Sequence, residues 1–344
     1  MKHNKRNTIL FIILGICLLL LFITNISLGA VSIPAKDVAA SLTGGEASKS
    51  SWQYIIINYR LPKAITAVLV GMGLSISGLL MQTLFRNPLA GPYVLGLSSG
   101  ASLGVAFVIL GAALLPAGAA VFFLSPYGIV VASTIGSLTV MLAVLLVAQR
   151  LKDTMTILIV GLMFGSFTSA IVGVLTYFSS ADQLRKFTFW SLGSLGNLSW
   201  QNIIVLAAAS VTGLLMAALC IKPLNALLLG ERYAASMGIN FTRTRLIIII
   251  ATSILAGTIT AFAGPVAFVG LAVPHMAKLF YKTSSHLILF WATMLIGAII
   301  LLLCDTVTQI GGDSFTLPIN AVTSIIGAPV VIWLLLRKRK GTFA

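Results

Sequence analysis

Few residues in this 344-residue chain have the type and spacing for bond chemistry: there are seven Asp and Glu, three His and three Cys. The histidines His3, His275 and His286 do not cluster, and Cys17, Cys220 and Cys304 lie far apart with no C-x-x-C spacing. Neither a metal site nor a disulfide framework is indicated. Catalysis needs a nucleophile, acid or base within reach of one another, and no such group is assembled here. Asp305 is the only carboxylate well inside a long apolar run, beside Thr306 and Thr308. An intramembrane acid is by default a functional residue, but the adjacent hydroxyls make local hydrogen bonding an equal reading. His275 follows Pro274 and reads as a hydrogen-bonded structural residue. The stretch GGEASKSS (44–51) has the look of a phosphate loop but lacks the Gly before Lys49. No catalytic residue, cofactor or metal ligand is expected.

The elements that hold these residues are set by composition. The chain is 58% hydrophobic and only 8% charged, against about a quarter charged in a soluble domain. Apolar runs of membrane-crossing length recur from end to end, without the two-residue alternation of a barrel. The fold class expected is all-α, a polytopic membrane protein with ten spans near 8–30, 61–83, 93–113, 122–148, 155–178, 201–221, 244–263, 267–280, 287–309 and 317–336. Gly and Pro mark the eighth as a partial or broken helix. The first run is longer than a signal-peptide core and reads as a retained helix.

The net charge of +15 does not indicate nucleic acid, because the basic residues are scattered through short loops. With the N-terminus cytoplasmic, one side collects Lys2, Lys5, Arg6, Arg86, Arg150, Lys152, Lys222, Arg232, Arg243, Arg245, Lys278, Lys282 and the tail Arg337–Lys340. The other holds only Lys36, Lys49, Arg60, Lys63, Arg185 and Lys186. The positive-inside rule then places both termini, and residues 222–243, in the cytoplasm. Small residues recur every four positions at Gly96, Gly100 and Gly104 on the third span, a packing stripe. Gly161, Gly165, Ser169 and Gly173 repeat the pattern on the fifth, where packing and pathway lining are equal readings. RNPLAGP (86–92) reads as a Pro-locked structural turn.

LNALLLGERYAASMGIN (224–240) interrupts two apolar runs with a short, Ala-rich, charged piece. Pro223 is read as helping to stop the sixth span, and Gly230 as dividing the segment into two helices. Glu231 opens the second, where a negative charge suits the helix dipole. Ala234 and Ala235 keep one face flat for docking, and Gly238 suits a left-handed cap.

Several segments together resemble one family: RLPK (60–63), GMGLSISGLLMQTLFRNPLAGPYVLGLSSGA (71–101), YFSSADQLRKFTFWSLGSLGNLSW (177–200), the 224–240 piece, AGPVAFVGLAVPHMAKL (263–279), GAIILLLCDT (297–306) and LPINAVTSIIGAPVVIWLL (317–335). In order and spacing they are similar to permease subunits of binding-protein-dependent ABC importers for iron–siderophores, haem and vitamin B12. The resemblance implies a vitamin B12 permease-like (type II ABC importer) fold, one transmembrane permease domain over 1–344, and cytoplasmic coupling helices at 224–238. It implies a second permease subunit in a homodimer, two cytoplasmic ATPase subunits and an extracytoplasmic substrate-binding protein, in the bacterial inner membrane. Carried over by position, Leu227, Leu228, Gly230, Glu231, Ala234, Ala235 and Gly238 couple to the ATPase. Arg60 and Lys63 meet the binding protein, and Thr154 and Met155 narrow a gate below Gly161, Gly165 and Ser169. The chain departs from the family in Gln309 for a basic residue, Thr316 for an acid, and Lys278 for Arg, which is not an equivalent donor.

The function implied is a permease that moves a metal chelate, foremost a ferric siderophore, by alternating access driven by separate ATPases; haem and cobalamin are alternatives. A secondary transporter would need several intramembrane ionisable groups, and a membrane enzyme would need acid/base pairs. Asp305 alone supports neither.

Overall fold

The computed structural model describes residues 2–29, 31–111, 122–150, 154–196, 198–309 and 317–339, and these are all helix, turn and loop. The helices are α1 (Lys2–Ser27), α2 (Ala35–Leu42), α3 (Ser50–Ile55), α4 (Leu61–Leu84), α5 (Leu97–Ile109), α6 (Pro126–Arg150), α7 (Thr154–Tyr177), α8 (Ala181–Ser191), α9 (Trp200–Leu219), α10 (Ile221–Leu227), α11 (Glu231–Ser236), α12 (Phe241–Ala263), α13 (Val269–Tyr281), α14 (His286–Thr308) and α15 (Ile319–Arg339). A π-helical turn, Ile56–Arg60, joins α3 to α4, and a 3₁₀ turn, Pro92–Leu95, precedes α5.

Each of the ten expected spans has a helix at its place. Among the described residues seven are long and apolar enough to cross a membrane: those carried by α1, Ser50–Leu84, α6, α7, α9, α12 and α14. The third and tenth have shorter apolar helices, Leu97–Ile109 and Ile319–Trp333. The eighth is not broken. It is a single 13-residue helix with Pro274 inside it, ~20 Å long at 1.5 Å per residue and too short to cross alone. It starts abruptly because Phe268 takes a left-handed conformation (φ 64°), and Asn320 Oδ1 accepts from Ala267 N at 3.1 Å in the preceding loop. Some hydroxyls inside the long helices bond back to the preceding turn, as in Thr66 Oγ1 to Pro62 O (2.8 Å) and Thr260 Oγ1 to Ala256 O (2.7 Å), which pairs a hydroxyl within its own span. Those of Ser75, Ser77, Ser133, Thr252, Ser253 and Thr293 are buried with no such bond.

Packing divides the chain into two compact units, one of Met1–Ile76, Ser194–Ala208 and Val266–Ala344, the other of Ser77–Gly193 and Ala209–Pro265. Helices α4 and α9 each begin in the first unit and end in the second. In the first unit, α4 crosses α14 where Gly71 faces Gly297, and a Cβ on either would strike the other's carbonyl oxygen. In the second, a Cβ on Gly104 would strike Ala132 O, and one on Gly136 would strike Gly100 O. The stripe on α5 is therefore a packing seam against α6, as its spacing predicts.

Candidate functional site

The segment between α9 and α12 folds as two short helices. Pro223 does not stop the sixth span: α9 ends at Leu219, and Pro223 sits in the first turn of α10, where a missing N–H costs no hydrogen bond. Gly230 follows at φ 115°, a conformation that excludes a side chain at little cost only for glycine. After α11, Gly238 takes φ 80°, with Gly238 N donating to Ala235 O (3.0 Å) and Ile239 N to Ala234 O (3.1 Å). Those two bonds are the Schellman pattern, which closes the open carbonyls of a helix end. Asn240 Oδ1 then accepts from Arg243 N at 3.0 Å and caps α12. The RNPLAGP turn reaches the same place, since Arg86 Nη2 donates to Leu227 O at 3.3 Å.

Burial separates the seven coupling residues expected here. Leu228, Ala235 and Gly238 are exposed and Gly230 is half-buried, whereas Leu227 and Ala234 face inward. Ala234 and Ala235 therefore do not share a docking face; successive helical residues differ by about 100° in direction. The backbone of Glu231 starts α11, as expected. Three exposed apolar residues were missed, Leu229, Tyr233 and Met237, at 66%, 53% and 59% exposure. Tyr233 and Met237, four apart around α11, carry a spacing signal that could have found them; Leu229 lies before the break at Gly230.

The second region lies on α5 and α7. Gly161 and Gly165 approach Gly96 at the start of α5, Gly165 also lies by Ser99, and Gly173 has open space around it. The stripe on α7 thus both packs and lines. It borders a groove of about 640 Å³. Tyr93, Ser99, Ser166 and Ser169 are among the residues that line it, and none of its described lining residues is charged. Met155, in the first turn of α7, is 49% exposed. Thr154 is the first residue of α7, and its side chain lies outside the described part.

The third region is one end of the first unit. Arg60 leaves the π-helical turn and donates to Ile26 O (2.8 Å), Ser27 O (2.9 Å) and Val31 O. Ser27 O also accepts from Ile33 N at 3.1 Å, and the guanidinium gathers these carbonyls at and just beyond the end of α1 into a side-chain cap. Lys63 Nζ pairs with Asp305 Oδ1 at 3.0 Å, with side chains 22% and 2% exposed. Asp305 Oδ2 also accepts from Asn25 Nδ2 (2.9 Å) and Gln309 Nε2 (3.0 Å), and Asn25 reaches Thr306 Oγ1 at 3.1 Å. Asp305 is thus the centre of a five-residue network rather than a lone acid bonded only to its own helix. Gln309, noted in the sequence as a lost cation, is one of its donors. Thr316 lies outside the described residues.

By architecture this is a multi-pass helical permease fold. Over 95% of this chain and 99% of the other, it superposes with a TM-score of 0.83 and 26% identity on a transporter of the metal-chelate ABC type captured facing inward. A chain of PsaBC from Streptococcus pneumoniae shares the fold more distantly, at a TM-score of 0.55 and 15% identity over 80% of this chain and 90% of that one. In sequence it is 34% identical to the hemin transport system permease HmuU of Yersinia pestis over 96% of both chains. It is 36% identical to the vitamin B12 import permease BtuC of Klebsiella pneumoniae over 86% of both. The FecCD transport family model matches residues 17–337, and the chain belongs to that family.

Proposed function

We propose that this chain is the membrane-spanning subunit of an ABC importer that carries a ferric siderophore into the bacterial cytoplasm. Two copies form the pathway, and each engages one ATPase subunit through α10 and α11. An extracytoplasmic binding protein delivers the cargo to the Arg60 end, and both termini lie in the cytoplasm. The observation that carries this reading is the α10–α11 hairpin: two short helices fixed by a Schellman closure and by Arg86, presenting Leu228, Leu229, Tyr233, Ala235 and Met237 outward. Apolar side chains on a rigid, interrupted segment outside the spans suit a protein partner.

The groove supports a chelated cargo. Hydroxyls and glycines offer weak, dispersed contacts that let a bulky solute leave as well as enter. None of the groove's described lining residues is a His, Cys or Met that would compete for a metal. The named relatives carry haemin and vitamin B12, so those two cargoes form the second reading. At the docking end, Lys63 is largely neutralised by Asp305, whereas Arg60 contacts carbonyls and keeps its full charge. Arg60 is the stronger docking cation of the two.

The experiment is uptake by the reconstituted importer with ferric siderophores, haem and cobalamin supplied on the cognate binding protein, beside an Ala235→Arg variant. Siderophore uptake in the parent and loss of ATPase copurification in the variant are expected. Haem or cobalamin uptake alone would move the cargo to the second reading, and normal ATPase copurification by the variant would refute the coupling face.

A further inference from the structure

At the other end of the first unit, the ends of α1 and α13 bring cations together, away from the described acids of that unit. Arg6 Nη2 donates to Tyr281 O at 2.9 Å, and the Phe11 ring lies 4.8 Å from that of Tyr281. Lys282 follows Tyr281 directly, Lys278 lies one turn back on α13, and Lys5 precedes Arg6; Lys5 and Lys282 are exposed. Arg6 Nε is buried without an acceptor, a donor that no group of the described chain satisfies. The acids of this unit are Asp37, Glu46, Asp305 and Asp313. Asp37 and Glu46 follow the opposite end of α1, Asp305 occupies the opposite end of α14, and Asp313 follows it in sequence.

The depth of this cluster follows from α1 itself. Arg6 ties one end of α1 to α13, and Asn25 ties the other to Asp305. The 19 helical steps from one to the other rise ~28 Å, close to the ~30 Å hydrocarbon thickness of a bilayer. The cluster therefore lies at the level of the phospholipid phosphates. Directly along α1 from Lys5 run Ile9, Ile12, Ile13, Ile16 and Leu20, each 54–59% exposed, an apolar track aligned with an acyl chain.

We propose that Lys5, Arg6, Lys278 and Lys282 form a binding site for the phosphate of an anionic phospholipid, with its acyl chains lying along the exposed face of α1. Cations near an interface each contribute on the order of 1 kcal/mol to such binding, and a fixed arginine fork adds geometric fit to phosphate. A free phosphate would not use the apolar track.

The test uses the full-length chain, delipidated in detergent and titrated with phosphatidylglycerol or phosphatidylcholine, with bound lipid counted by native mass spectrometry. Phosphatidylglycerol should be retained in preference to phosphatidylcholine. Retention should fall about fivefold for Lys282→Gln and about 25-fold for Lys5→Gln with Lys282→Gln, two exposed changes that leave the melting temperature unaltered. Lys36→Gln with Lys49→Gln, beyond the opposite end of α1, should have no effect. Equal retention of the two lipids, or an unchanged preference in the Lys5/Lys282 variant, would overturn the site. Displacement of the lipid by millimolar inorganic phosphate would overturn the lipid as its occupant.

Discussion

At the scale of single residues, Asp305 shows how context decides what an ionisable group does. Its charge is tolerated at 2% side-chain exposure because Lys63, Asn25 and Gln309 all donate to it. Removing one partner of a buried pair is more damaging than removing both, since the remaining charge is left uncompensated. Lys63→Met should destabilise the protein by about 3–5 kcal/mol, and Lys63→Met with Asp305→Leu should recover much of the loss. Thermal unfolding in detergent distinguishes these outcomes; equal melting temperatures for the single and double variants would contradict the pairing. Asp305 was legible in the sequence as an anomaly, but its partners were not. Asn25 lies 280 positions away, and spacing carries no signal over such a distance.

Asp37 permits a prediction with a sign. Its carboxylate accepts from Ser48 N at 2.7 Å and from Ser48 Oγ, and these bonds hold it below the usual carboxylate range. The contribution is complete above the ordinary Asp value of ~3.9 and is lost as pH falls through the lower value of the folded chain. Amide exchange at Ser48 should stay slow down to about pH 4 and accelerate only below it. In Asp37→Asn the exchange should be faster wherever the parent carboxylate is ionised, and show no acid step. An acid step retained by that variant would assign the titration to another group.

At the scale of elements, the long helices were readable because lipid imposes length and composition on each span. The short ones were not. Helix α8 went unassigned although Ser180 and Gln183 have capping-box spacing, and in the structure Ser180 N donates to Gln183 Oε1 at 2.9 Å. Helix α11 was legible from Gly230 and Gly238, while the direction of Ala234 required counting residues around the helix. The stripe on α7 was legible as small residues, but which of them pack depends on where Gly96 comes to lie. A Cβ on Gly165 would meet Ser99 Oγ at 3.5 Å, an ordinary contact. Gly165→Ala should therefore fold and transport normally. Gly165→Leu should fold but obstruct the groove, lowering uptake at least tenfold, which corresponds to ~1.4 kcal/mol on the transport barrier. Full uptake by the Leu variant would remove the groove from the pathway.

At the scale of the whole molecule, some spans leave most of their surface uncovered within one chain. Only 17% of the apolar window of α7 is buried, against 67% for α12. With a second copy related by a two-fold axis, a residue near the axis meets its own counterpart. In a background without Cys17, Cys220 and Cys304, Phe167→Cys (63% exposed in the parent) should cross-link to dimers on oxidation. Ile13→Cys on α1 should not. Monomers alone from Phe167→Cys would place α7 against lipid.

The interleaving of the two units sets an order of events at the ribosome. Residues 77–193 and 209–265 form one unit, whereas the other needs residues from both ends of the chain. Helix α1 enters the bilayer first, yet the acceptor for Asn25 is synthesised 280 residues later. At ~5–20 residues per second, that interval lasts tens of seconds. Throughout it a nascent α1 holds the Asn25 amide at the bilayer edge without its native acceptor, exposed to chaperones and to membrane proteases. Faithful biogenesis of this permease thus depends on how long its oldest helix can wait for one of its youngest.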